Sequence, residues 1–384
     1  MKILFVSNGN GEVAIAERIA RDLRVLSPAL ELAHFPLVGE SRSNVWHEVG
    51  PRALMPSGGL IAMGNVRNIA KDLRGGLIGL TLAQRAFLVR ARGTYARLVA
   101  VGDVFALLMA LAAHAPTTYV GTAKSVRVAP YGAVERMVLR RADGVFVRDE
   151  ATAQYLQERG VPARAPGNVI VDLFAGEDDP AAEAALAGFD PALALFPGSR
   201  ASAYADARFL LEVLRRIGAA YPRAGAEVSL APLLDPARFA AEFRAGGFEV
   251  EERDDVRVPL VIRDGDRVLA RAWRGGIGAL LQRACLVLGQ AGTANEAAAA
   301  AGVPVVAFER DRDRKTAWYR MRQHGLRGEA LAVLPGAPPL AAAGVEALLA
   351  DPVRRAEMGA LGRERMGGPG GALAIARAIA EQLA

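Results

Sequence analysis

Cysteine, histidine and long apolar runs are scarce in this chain of 384 residues, and each scarcity excludes something. The one cysteine, Cys285, rules out an internal disulfide and a cysteine-based zinc site. Its place in an apolar segment makes it a small buried hydrophobe, in keeping with a reducing, cytoplasmic setting. The four histidines show no metal-ligand spacing. The most apolar stretch, VFALLMALAA (104–113), is too short to cross a bilayer and is flanked closely by Asp103 and Pro116. MKILFVSNGN runs from a short apolar stretch straight into a glycine turn and does not read as a signal peptide.

What is present is the composition of a folded globular protein, 52% hydrophobic and 23% charged, with length for two domains. The net charge of +6 is unevenly spread. Residues 1–150 hold 19 Lys and Arg against 12 Asp and Glu, whereas the remainder holds 28 against 29. A basic excess confined to the first part of the chain suits an anionic surface or substrate. Within it, LRGGLIGLTLAQRAFLVRARGTYARL (73–98) mixes apolar residues with Arg74, Arg85, Arg90, Arg92 and Arg97 and carries no acid. This pattern predicts peripheral contact with an anionic membrane or a lipid-bearing acceptor; the alternative is a core helix with a solvated basic side.

A strand–turn–helix pattern begins twice, at KILFVSNGNGEVAIAERIARDL (2–23) and at LALFPGSRASAYADARFLLEVLRRI (193–217). Further strands are expected at 31–38, 98–102, 117–121, 144–149, 226–233, 285–290 and 304–308. VPLVIRDGDRVLARAW (258–273) alternates around Asp264-Gly265, the mark of a hairpin. The polar, proline-bracketed stretch 177–191 reads as a linker. The expected organisation is an N-terminal Rossmann-like domain over 1–176 and a second over 177–370. A terminal helix over 371–384 is free to pack back on the first. The fold class is α/β.

The stretch GQAGTANEAAAAAGVPVVAF (289–308) carries the most chemistry. A small-residue turn leads from an apolar strand into an alanine-rich helix, with Thr293 as the expected N-cap and Gly302 as the stop. A helix start at a strand's carboxyl end collects unpaired N–H groups and suits a phosphate. Glu296 falls in the first turn, where it suits the helix dipole and also the hydroxyls of a ribose beside that phosphate. Asp264-Gly265-Asp266 is accounted for by its hairpin and Asp311-Arg312-Asp313 by a charged loop, so no metal is expected.

Together FPGSR (196–200), GQAGTANEAAAAAGVPVV (289–306), SNGNGE (7–12), VGTAKS (120–125), FVRDEATAQYL (146–156) and PGNVIVDLF (166–174) resemble a known family. They are similar to the lipid-A-disaccharide-synthase-related branch of the GT-B glycosyltransferases. The resemblance covers nearly the whole chain. It implies two facing Rossmann-like domains with a cleft between them, and a metal-independent inverting glycosyltransferase without cofactor. The donor implied is a UDP-sugar of the UDP-GlcNAc type, and the acceptor is lipid-linked or lipid-like. The implied setting is cytoplasmic, peripheral at the inner face of the membrane, with no nucleic acid partner. The chain departs from the synthase pattern at Gly167-Asn168-Val169, at Val13 and around Asp103, which bears on the acceptor more than on the donor.

On that reading Gly198, Ser199, Arg200, Gln290, Gly292, Thr293 and Glu296 bind the donor. Arg200 is the cation for the diphosphate, because a guanidinium holds two phosphate oxygens at once. Asp103 and Glu12 are the candidate catalytic carboxylates, with a helix-start role as the alternative for each. Asn8, Gly9, Gly11 and Lys124 are expected on the acceptor side. Two other readings stay open: a UDP-sugar 2-epimerase or hydrolase, and a non-catalytic nucleotide-sugar-binding paralogue.

Overall fold

The computed structural model describes residues 1–38, 43–52, 76–122, 124–174, 184–310, 325 and 328–383. The chain divides into two compact units, Met1–Leu173 with Gly368–Ala384, and Phe174–Gly367. Unit 1 is built on seven parallel strands: β1 Lys2–Ser7, β2 Glu31–Pro36, β3 His47–Glu48, β4 Arg97–Gly102, β5 Thr117–Gly121, β6 Gly144–Val147 and β7 Ala163–Arg164. Their order is β3-β2-β1-β4-β5-β6-β7. Residues Leu98–Val101 and Ile3–Val6 are buried without polar interruption, as expected of strands covered by helices on both faces.

Unit 2 has eight strands: β8 Ala192–Phe196, β9 Gly225–Ser229, β10 Glu249–Glu252, β11 Leu260–Asp264, β12 Arg267–Trp273, β13 Leu286–Gly289, β14 Val305–Glu309 and β15 Leu331–Pro335. Their order is β10-β11-β12-β9-β8-β13-β14-β15. All neighbours are parallel except β10 with β11 and β11 with β12. The expected hairpin is β11–β12, turning at Gly265 with φ +59°. The α/β class and the two Rossmann-like sheets are those expected, and every strand expected from the sequence is present.

The stretch 177–191 is a different matter. Residues 177–183 lie outside the described residues, and those that follow are built into unit 2 instead of linking. Ala185 and Leu186 are buried, the Leu186 amide donates to Glu227 Oε1 at 3.0 Å, and Arg271 donates to the Ala187 carbonyl at 3.1 Å. Glu227 and Arg271 face each other across β9 and β12 and form an ion pair at 2.9 Å. Burial raises the pKa of Glu227, against its bond from Leu186 and the Arg271 charge.

The terminal helix, Gly371–Glu381, packs on helix Asn10–Leu26 of unit 1 through a stripe that includes Ile375 and Ile379. Its start is fixed by the buried Asp172, whose Oδ1 accepts from the Gly370 amide at 2.5 Å and Oδ2 from the Ala372 amide at 2.7 Å. A carboxylate there also meets the positive end of the helix dipole. The approach is close: a Cβ on Gly371 would lie 2.5 Å from the Gly167 carbonyl oxygen, tighter than any real contact. Asp172→Ala is therefore expected to destabilise the protein by about 2 to 4 kcal/mol, with Asp172→Asn losing less, as read by urea unfolding.

Candidate functional site

In each sheet the crossover direction reverses once, between β1 and β4 in unit 1 and between β8 and β13 in unit 2. Loops leaving the carboxyl ends of such a strand pair diverge to opposite faces and leave a crevice where ligands bind in parallel α/β sheets. Most of the residues singled out in the sequence lie at these two places.

In unit 2 the loops after β8 and β13 are tied together, because Gln290 and Ala291 both donate backbone N–H to the Phe196 carbonyl, at 2.9 and 3.2 Å. Gly198 adopts φ +109°, a conformation open to glycine but strained for other residues. It turns the chain so that Ser199 and Arg200 are exposed. The Arg200 guanidinium has no ion pair or hydrogen bond among the described residues. Helix Thr293–Ala301 starts beside them with Gly292, not Thr293, in the cap position, and receives no side-chain cap hydrogen bond. Thr293 is instead the first helical residue, and exposed. Glu296 is half-buried in the first turn, and Gly302 ends the helix at φ +80°. Gln290 departs from expectation, since its Nε2 donates to the Phe308 carbonyl at 3.2 Å and braces β14.

Two features of this region were missed in the sequence. Asn295 is fully buried and donates Nδ2 to the Gly289 carbonyl at 3.1 Å, while its Oδ1 is buried without a partner. Any side chain at Gly289 would overlap that amide, so the pair fixes the turn. Arg310 pairs with Asp206 and lies 4.8 Å over the Phe209 ring. An asparagine in an alanine run was a readable signal; the Asp206–Arg310 pair, far apart in sequence, was not.

In unit 1 the β1 loop brings Asn8, Gly9 and Glu12 against Gly102 and Asp103 at the end of β4. Gly102 has φ +136°, and a Cβ there would collide with Asn8 Oδ1 and sit 3.2 Å from Glu12 Cγ. A Cβ on Gly9 would meet the Glu12 carboxylate, which folds back over it. Gly11 is exposed. Burial raises the Glu12 pKa above its ordinary 4.5, against a hydrogen bond from its own backbone and with help from the negative charge of Asp103. Asn8 Oδ1 is buried with no partner among the described residues. The cluster is braced from below. Ser7 Oγ and His34 Nε2 are 2.8 Å apart, and His34 stacks on Trp46 at 4.3 Å. Burial, then the Arg52 charge, lowers the His34 pKa to about 3, so the ring is neutral at ordinary pH.

The remaining unit 1 residues differ from expectation. Asp103 is the cap of helix Val104–Ala110, its Oδ1 accepting from Phe105 N at 2.9 Å and Ala106 N at 3.2 Å. Lys124 gives its charge to Glu135, donating to both carboxylate oxygens at 2.7 Å, and is not free for an acceptor anion. Asn168, in the departure from the synthase pattern, caps helix Val169–Asp172 and serves the terminal helix.

No family model and no curated protein matches the chain, but solved structures do. UDP-GlcNAc 2-epimerase from Neisseria meningitidis, bound to UDP-GlcNAc, superimposes with a TM-score of 0.57 at 12% identity, over 100% of this chain and 99% of that one. The Methanocaldococcus jannaschii UDP-GlcNAc 2-epimerase, in complex with UDP-GlcNAc and UDP, gives 0.56 at 15%, over 99% and 100%. Acinetobacter baumannii MurG gives 0.53 at 11%, over 99% of each chain. The likeness shows the fold. It is the GT-B type over the full length of the chain, and none of these three is a lipid A disaccharide synthase.

The raised Glu12 pKa has a testable sign. The folded protein holds the Glu12 proton more tightly than the unfolded chain. This contribution to stability is present in full below pH 4.5 and lost as pH rises through the raised value. Glu12→Gln is thus expected to melt higher than wild type at pH 7, with the difference vanishing in melts near pH 4.

Proposed function

We propose that this chain is an enzyme acting on a UDP-sugar, with the nucleotide diphosphate held by unit 2. The observation that carries the reading is the convergence at the β8–β13 reversal. A helix start with no side-chain cap, the unpaired Arg200 guanidinium and the Ser199 hydroxyl all belong to the two tied loops. Backbone N–H groups, a helix dipole and a guanidinium together meet the charge of a diphosphate, both bound and as it leaves. Glu296 takes the ribose hydroxyls. The uridine assignment is supported by the two epimerase structures of the same fold, which carry UDP-GlcNAc.

Two reactions are compatible with that donor site. The first is 2-epimerisation or hydrolysis of the UDP-sugar itself, which the two epimerases of the same fold support. The second is inverting transfer of the sugar to a lipid-like acceptor hydroxyl, with the diphosphate as leaving group. It is favoured by the basic excess and exposed apolar residues of unit 1. In either case Glu12 is the group of unit 1 suited to proton transfer, because burial brings its pKa toward the working pH. Asp103 caps its helix and acts on Glu12 through its charge.

Thermal melts with UDP, UDP-GlcNAc, GDP and TDP test the donor site. Uridine ligands are expected to stabilise selectively, and Arg200→Ala to weaken UDP binding about 10- to 100-fold. No response to any nucleotide would overturn the reading. Incubation with UDP-GlcNAc alone then separates the reactions. An epimerised or hydrolysed sugar identifies the first, and turnover only with added lipid acceptor identifies the second. Binding without turnover under either condition would mean a nucleotide-sugar-binding protein.

A further inference from the structure

Three helices cover one face of the unit 1 sheet: Leu77–Arg90, Val104–Ala110 and Ala133–Leu139. The middle one packs against both others. Their inner sides supply Leu88, Ala106, Leu107, Met109, Val138 and Leu139 to one core. Their outer sides are unusual. Ile78 and Leu82 are each 62% exposed, Phe105 43%, Leu108 50%, Val134 69% and Met137 58%. Within each helix the two residues are spaced three or four apart, so each pair forms one outward stripe. Six large apolar side chains on three adjoining helices are more than the single surface hydrophobics that folding leaves behind.

We infer that this helical layer docks on an anionic lipid surface. The occupant follows from charge. From Gly76 to Arg141, the stretch that builds the layer, there are nine Lys and Arg and two Asp and Glu. Both acids are engaged, Asp103 in capping its helix and Glu135 in pairing with Lys124. Arg85 continues the Ile78–Leu82 stripe by one turn, and Arg85, Arg90 and Arg92 are exposed with no ion pair among the described residues. An apolar face with unpaired guanidinium groups inserts shallowly into an acyl boundary while the cations meet lipid phosphates. A second copy is a poorer occupant, because a two-fold contact would bring the same arginines toward one another. The layer also corrects the expectation from 73–98. Residues 73–75 lie outside the described residues, and Arg97 is buried in β4, donating to Thr118 Oγ1 at 3.1 Å. Phe105, Leu108, Val134 and Met137 belong to the face although they lie beyond that segment. No helix among the described residues is long and apolar enough to cross a membrane, so the contact is peripheral. The inference holds for either reaction proposed above, since it concerns a different surface from the donor site.

Flotation of the full chain with phosphatidylglycerol-containing and with pure phosphatidylcholine vesicles tests it. Wild type is expected to float with the anionic vesicles only and to be released by salt. Arg85→Glu with Arg92→Glu, and separately Leu82→Ser with Leu108→Ser, are each expected to weaken vesicle binding about tenfold or more. Both exchange exposed side chains, and an unchanged melting temperature and UDP response would certify the fold. Absence of wild-type binding to anionic vesicles would overturn the inference, as would binding that both double variants retain. A concentration-dependent dimer in sedimentation, abolished by Leu82→Ser with Leu108→Ser, would overturn it in favour of a second copy.

Discussion

A parallel sheet buried on both faces forces every connection to cross over a face, and a right-handed crossover dictates which face. When the chain builds outward in both directions from a central strand pair, the loops leaving those two strands must part. That parting, at β1–β4 and at β8–β13, sets everything chemical about this protein. It leaves a gap at the strand ends and points a helix start at it in each unit. The sequence fills both gaps with small residues, and Gly9, Gly102, Gly198 and Gly292 are placed where a side chain would block the approach or the turn.

The two gaps are electrostatically unlike. In unit 2 the described groups at the gap are donors and a cation: amides at the helix start, Ser199 and the unpaired Arg200. In unit 1 they are acceptors and acids: Asn8 Oδ1 without a partner, Glu12 with its proton held by burial, and Asp103 beside it. A negatively charged ligand belongs with the first set and proton transfer with the second. Buried, unpaired polar atoms such as Asn8 Oδ1 are costly unless something meets them, which makes them informative about a site.

Charge is distributed on a larger scale as well. Unit 1 spends its acids on caps and internal pairs, leaving exposed arginines around an apolar helical layer. In unit 2 the corresponding arginines are mostly paired, as in Arg208–Glu242, Arg215–Asp264 and Arg271–Glu227. The basic excess of the first 150 residues is thereby a surface property of one helical layer, not a general feature of the protein.

The sequence by itself determined the fold class, the two strand–turn–helix starts, the β11–β12 hairpin and the phosphate-suited helix start after β13. Each of these is written in neighbouring residues: an unbroken apolar run, a glycine turn, a strong helix former and a stop. The short strands β3 and β7 and the polar edge strand β10 left no period to read. Side-chain assignments that depend on distant partners were decided only by the tertiary structure. Lys124 is spent on Glu135, Asp103 on its helix, Gln290 on Phe308, and Asp172 holds a helix that begins nearly two hundred residues later. A lone charged or polar residue in a sequence has equal claim to solvent, a cap or a ligand. Which claim wins depends on the donors and acceptors that folding brings within about 3 Å of it.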